Sequence, residues 1–113
     1  MKIEKLNPLP THKVSFALSA YNLVPKIPGC YILSTYDNLI LYIGLATNLY
    51  NRFKQHLDNP EKTSPTADGK AIFFHFVTFD PVNLPKLERT WLNQYVNVHG
   101  RLPILNKTSS PIS

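Results

Sequence analysis

Gly29-Cys30-Tyr31, Leu41-Tyr42-Ile43-Gly44, Arg52 and His56 mark the stretch, residues 29–56, whose reading decides the fold. Its middle predicts two short strands, residues 30–35 and 39–43, joined through Tyr36-Asp37-Asn38. Asp and Asn tolerate tight-turn geometry, so the two strands read as a hairpin. With Asp37-Asn38 as a two-residue loop, residue 36 pairs with 39, Leu33 lies opposite Tyr42 and Tyr31 opposite Gly44. Side chains alternate along a strand, so Tyr31, Leu33 and Tyr42 then share one face, and Gly44 leaves open space beside Tyr31. A three-residue loop would instead put the two tyrosines on opposite faces.

A helix follows the hairpin. Thr47 or Asn48 can cap it, and Leu49, Tyr50, Phe53 and Leu57 recur at helical spacing. Arg52 and His56 stand one turn apart, away from most of that stripe, and so project toward a common region. Each of these residue types is ordinary in such an element when taken singly; the combination and its order carry the signal.

In that order, Gly-Cys-Tyr, a gap of about ten residues, Tyr-Ile-Gly, and an Arg ten positions past the second Tyr, the stretch resembles a GIY-YIG nuclease domain. Gly29-Cys30-Tyr31 stands for the first triplet, with Cys where Ile or Val is usual, and Tyr42-Ile43-Gly44 matches the second. Asn48, Leu49, Arg52 and His56 are similar to the helix of that family, and the resemblance continues through Glu88 to Asn106, roughly residues 25–106. It implies an α+β fold, a small three-stranded antiparallel sheet flanked by helices, in which the strand over residues 71–79 joins the hairpin.

One hundred and thirteen residues make one domain with a modest core. Residues 1–24 form an extended lead-in with a short helix over 15–21, in which Phe16, Leu18 and Tyr21 are packing candidates. Residues 25–106 are the nuclease-like domain, and 107–113 a Ser- and Pro-containing flexible tail. The net charge of +5 favours polyanionic partners, although the twelve Lys and Arg form no basic run. A single Cys excludes an internal disulfide and a Cys-based zinc site, and its place in the first strand suggests burial as a small apolar residue. The first residues lack the apolar core of a signal peptide and no window could span a bilayer, so the cytoplasm, or a nucleoid within it, is the expected location.

Further along, residues 58–70 read as a polar surface loop. Ala71–Phe79 is the strongest strand signal, apolar on both faces, with His75 read as a satisfied core or edge histidine. Asn83 is expected to cap a final helix with Pro85 in its first turn. Leu84, Leu87, Trp91, Leu92, Tyr95 and Val98 form its buried stripe, and Gly100 ends it. Residues 102–106 can pack back as an extended segment.

Glu88 breaks that apolar stripe. Either its head reaches water at the boundary, or it is buried and needs a cation, an Arg or a donor cluster, for which Arg52 is a candidate. The resemblance favours the second reading, because Glu88 falls where such domains carry their single metal-binding carboxylate. One carboxylate is enough for Mg²⁺, with Mn²⁺ as a substitute, since that ion keeps several waters and takes phosphate oxygens. No His or Cys grouping has zinc spacing, and no glycine cluster forms a phosphate loop or a dinucleotide fingerprint.

The function the resemblance implies is metal-dependent hydrolysis of a DNA phosphodiester, in the setting of DNA repair or recombination. Glu88 holds the metal, Arg52 offers a planar fork to the phosphate, and Tyr31 corresponds to the tyrosine proposed as general base. Tyr42 orients water or phosphate, His56 relays a proton or donates to phosphate, and Asn106 supports the site by hydrogen bonding. Both tyrosine hydroxyls are expected to open into one cleft with Arg52, His56 and Glu88. If Glu88 lies on the far side of the sheet from Arg52, the one-metal nuclease reading fails. Leu45 departs from the pattern, standing where many relatives place a polar or basic residue. No further DNA-binding element is visible, so target choice falls to DNA shape or to a protein partner. The rival reading is a catalytically idle nucleic-acid-binding module on the same fold; a weaker one is a protein-interaction domain whose tyrosines and Trp91 are core.

Overall fold

The computed structural model describes residues 1–78 and 80–106. It has an α+β fold with four antiparallel strands: β1 (His12–Ser15), β2 (Gly29–Ser34), β3 (Ile40–Ala46) and β4 (Phe73–Thr78), in spatial order β1-β4-β2-β3. The expected three-stranded sheet is therefore one strand short. β1 was hidden because it holds only one apolar residue, Val14, and follows two prolines. It is held by pairing with β4 and by ring contacts. His12 stacks on Phe76 at 4.8 Å, and the Lys13 ammonium sits 3.9 Å from the centre of the Phe73 ring.

The lead-in is also more structured than expected. It contains a 3-10 turn at Ile3–Lys5 and a 3-10 helix at Leu18–Leu23 in place of the helix over 15–21. Phe16 is buried as anticipated, but Leu18 and Tyr21 are exposed, and Ala20 and Val24 make the packing contacts instead.

The hairpin pairs Leu33 with Tyr42 and Tyr31 with Gly44, as the two-residue loop required, yet its loop has three residues. The Thr35 amide donates to the Leu39 carbonyl, the Asn38 amide to the Thr35 carbonyl, and Asn38 adopts a left-handed φ of 68°. This is a type I turn followed by a left-handed residue. A register shift between Leu33 and Ser34 compensates: Ser34 pairs with Ile40 and Leu33 with Tyr42, so Leu41 is the extra residue of a bulge. Loop and bulge each displace the register by one, and together they return both tyrosines to one face.

Three helices complete the fold: α1 (Leu49–Leu57), α2 (Pro60–Thr63) and α3 (Leu84–His99). The sheet separates two cores. On one face Tyr31, Leu33 and Tyr42 pack with Leu49 and Phe53 of α1; on the other, Cys30, Ile32 and Ile43 pack with Leu87 and Trp91 of α3. β4 lies between β1 and β2 and is covered on both faces, which explains why its sequence is apolar on both sides. Its strand proper is Phe73–Thr78, and Phe79 lies outside the described residues, as do residues 107–113 of the expected tail.

Asn48 caps α1 by accepting from the Asn51 amide at 3.0 Å. Asn83 makes no side-chain cap on α3; it closes a turn from Asp80, and its carbonyl accepts from the Leu87 amide. Val98, expected in the buried stripe of α3, is 64% exposed, so the stripe ends at Tyr95. Gly100 ends α3 in the left-handed conformation, as expected.

β3 is an edge strand, and its outward polar groups are taken up one after another. The Ile40 amide donates to the Met1 carbonyl and the Leu105 amide donates to the Leu41 carbonyl. The Asn106 side chain pairs with both backbone groups of Ile43. An edge satisfied in this way offers no free ladder to another strand.

Candidate active site

Two glycines let the site form. A Cβ on Gly44 would come within 2.6 Å of the Tyr31 ring and hydroxyl and 2.8 Å of the Tyr42 ring. One on Gly29 would meet a Leu49 methyl at 2.5 Å and the Val77 carbonyl at 2.6 Å. Both triplets thus end or begin on glycine because another chain group occupies the space of a side chain. Gly44→Ala is expected to destabilise the fold by about 1–3 kcal/mol, the range for overpacking. It should also displace the tyrosine pair, to be read as a lowered Tm together with altered tyrosine ring signals in NMR.

Tyr31 and Tyr42 stack with ring centres 5.8 Å apart, and His56 packs against both, at 5.5 and 5.3 Å. The Tyr31 hydroxyl lies 2.7 Å from His56 Nε2. Burial pushes the Tyr31 phenol well above its usual range, and Tyr42 adds to the rise; the charge and hydrogen bond of Arg52 oppose it. His56 is depressed to about 3 by burial first, then by the charges of Lys62 and Arg52. The phenol is therefore protonated and the imidazole neutral at ordinary pH, and the two share one hydrogen bond.

These positions revise two expectations. His56 does not stand clear of the buried stripe of α1; it is part of it, with Leu49 and Phe53. The Tyr31 hydroxyl does not open into a cleft, since the whole side chain is inaccessible, whereas Tyr42 retains 6% of its surface. A direct general base at Tyr31 is disfavoured on both burial and acidity.

Arg52 is half-buried; besides its hydrogen bond to Tyr31, its Nη1 donates to the Leu45 carbonyl at the edge of β3, at 3.3 Å. Glu88 lies on the other face of the sheet, with α3, and is 3% exposed. In place of the single cleft expected, Glu88 lies across the sheet from the tyrosine pair, whereas Arg52 stands at the edge of β3, at Leu45, which the Glu88 cleft also borders. The Leu45 carbonyl takes Arg52, and its side chain lines a cleft of about 440 Å³ with Glu88, Arg89 and Asn93. Leu45, conspicuous for lacking a charge, is the residue that Arg52 and the Glu88 cleft share.

Cys30 lies under the same helix, with its thiol donating to the Leu84 carbonyl at 3.4 Å. Burial and then the nearby Glu88 charge push it up to about 12, which makes it inert as the sequence suggested. His75 is likewise a satisfied buried histidine, 2.8 Å from the Ser34 hydroxyl and depressed to about 4 by burial. Asn106 braces the β3 backbone two residues from Leu45 and does not reach the tyrosines.

Both buried histidines bind fewer protons folded than unfolded between their depressed values and about 6.5. Stability should therefore be complete above pH 6.5 and fall as pH drops toward 3–4. Urea titrations across pH should show this loss, and His56→Gln and His75→Gln should each flatten it.

Sequence reasoning missed one residue of the cluster. Lys62, in α2, is 7% exposed, with its ammonium 4.9 Å from the centre of the Tyr42 ring. It sits in the stretch read as a polar loop. Only Asn59-Pro60, a cap followed by a proline, marked a turn of helix there.

Among the described residues no group of three or more His, Cys, Asp or Glu could hold a metal ion. That excludes a full protein cage within them. It leaves room for one buried carboxylate beside an open cleft, the arrangement that suits a hydrated Mg²⁺.

The family model described as the GIY-YIG catalytic domain matches residues 27–100. Among curated proteins, UvrABC system protein C of Mycoplasma genitalium is 34% identical over 73 residues, which cover 63% of this chain and 12% of that protein. The protein of the same name from Mycoplasmoides gallisepticum is 39% identical over 62 residues, 55% of this chain and 10% of the relative. That from Levilactobacillus brevis is 26% identical over 84 residues, 74% and 13%. The chain therefore spans about an eighth of the length of these relatives. Tyr31, Tyr42, Arg52, His56 and Glu88 all fall within the matched segment and Asn106 beyond it, and with about two thirds of its length matched, the chain belongs to the GIY-YIG catalytic domain family.

Proposed function

We propose that the domain is an endonuclease that hydrolyses DNA phosphodiester bonds with one divalent cation, Mg²⁺ or Mn²⁺. The observation that carries this reading is the meeting at Leu45 of Arg52 and the Glu88 cleft, beside a tyrosine pair already hydrogen-bonded to a neutral histidine. Phosphodiester hydrolysis needs a polarised water, neutralisation of the charge that develops on phosphorus-bound oxygens, and help for the leaving oxygen.

Glu88 would hold the cation, which supplies Lewis-acid polarisation of a phosphate oxygen. Arg52, permanently charged, offers its planar fork to the phosphate from a position set by the Leu45 carbonyl and Tyr31. Tyr42, the less buried phenol, orients the attacking water or the phosphate. Tyr31 acts behind it, hydrogen-bonded to His56 and stacked on the Tyr42 ring that it holds in place. Asn106 acts as a positioning residue, holding the strand on which Leu45 and Tyr42 sit.

A catalytically idle binding module would use the same basic surface. Against it stands Glu88, since a pure phosphate binder gains nothing from a buried negative charge near its ligand. The relatives' names place them in the UvrABC system, which makes a targeting protein the natural partner; structured and damaged DNA, which the family resemblance suggests, are the first substrates to try. No described helix is long and apolar enough to cross a membrane, in keeping with a cytoplasmic or nucleoid location. The test is incubation with supercoiled plasmid, branched DNA and single strands, with Mg²⁺, Mn²⁺ or EDTA. Metal-dependent cleavage of any of them is expected; DNA binding without cleavage under all conditions would favour the idle module.

A further inference from the structure

Lys62 is placed by rigid backbone. The Asn59 side chain accepts from the Glu61 amide at 3.0 Å, the Asn59 carbonyl accepts from the Lys62 amide at 2.9 Å, and Pro60 sets the first turn. The Asn59 amide in turn donates to the His56 carbonyl, which ties α2 directly to α1. The ammonium is thereby held against the Tyr42 face, and its charge reaches His56. Taking a lysine out of water is costly, and lysines are seldom this buried. The tyrosine pair consequently has a cation on each side, Arg52 at the Tyr31 hydroxyl and Lys62 over the Tyr42 ring. Leu45 supplies no charge between them.

We infer that Lys62 is a second phosphate-contacting residue of this site, clamping with Arg52 the phosphodiester of a DNA strand laid across Tyr42. Its part in turnover rests on the nuclease reading; its contact with phosphate does not. A lysine that only covered Tyr42 would do so with its methylene stem, and methionine would replace it.

The experiment measures the affinity of Lys62→Met and Lys62→Arg for one DNA duplex at several salt concentrations in EDTA, beside the unaltered protein. If Lys62 neutralises a phosphate, methionine should weaken binding roughly tenfold, the scale of one charge-assisted hydrogen bond. It should also flatten the dependence of log affinity on log salt by about 0.9, and arginine should restore both. An unchanged slope in the folded methionine variant overturns the proposal, whether or not the protein cuts DNA. A flattened slope in a protein that cuts nothing with any metal would uphold the Lys62 contact and sink the nuclease reading. Absence of any DNA binding would sink both.

Discussion

Glu88→Gln should reduce DNA cleavage to background while DNA binding persists or tightens. Glutamine keeps the length of the side chain and most of its packing in the stripe with Leu84, Leu87 and Trp91. What it loses is the negative charge, and among the described residues lining this cleft Glu88 is the one carboxylate that could take a hydrated cation. Removing a negative charge near phosphate cannot weaken electrostatic attraction, so the binding change has a fixed sign. Cleavage rate and duplex affinity, measured on the same preparation with its fold checked by circular dichroism, give both arms. Retained cleavage would remove Glu88 from the chemistry; loss of binding along with cleavage would point to a structural role.

Arg52→Ala should slow cleavage about 10²–10³-fold, the scale for losing a preorganised donor to developing negative charge. Unlike the change at Glu88, it should also weaken DNA binding, because a positive charge disappears. Arg52 has two further duties, lowering the cost of charge on Tyr31 and closing the β3 edge at Leu45. Lysine restores the charge but not the planar fork, so Arg52→Lys should recover binding more fully than turnover. Opposite signs of the binding change at positions 52 and 88 separate a nuclease site from a simple basic surface. Single-turnover cleavage and a binding titration of each variant decide it.

The pairing of Tyr31 with Gly44 follows from Asp37-Asn38 read as a two-residue loop, and it holds although the loop has three residues. The route to it was not legible: a three-residue loop and a bulge at Leu41 offset one another, and neither leaves a mark on hydrophobic alternation. The candidate residues of α1 and α3 stand out by type and spacing, but the placement of His56 and Glu88 on opposite faces was not legible. Spacing along a helix says which face a side chain takes, and nothing about which side of the sheet the helix packs. β1 escaped notice because its stability comes from pairing with β4 and from Phe76 and Phe73, not from its own residues. Lys62 escaped because a lysine among Asn, Pro, Glu and Thr looks solvated until the turn that buries it is known.

The most direct measurement counts Mn²⁺ bound to the protein–DNA complex by electron paramagnetic resonance, in the unaltered chain and in Glu88→Gln, using a DNA analogue that resists hydrolysis. One Mn²⁺ per chain in the first and none above the DNA-alone level in the second is the expected result. Equal Mn²⁺ in both, or none in either, would contradict a site in which a single carboxylate at the edge of β3 holds the metal.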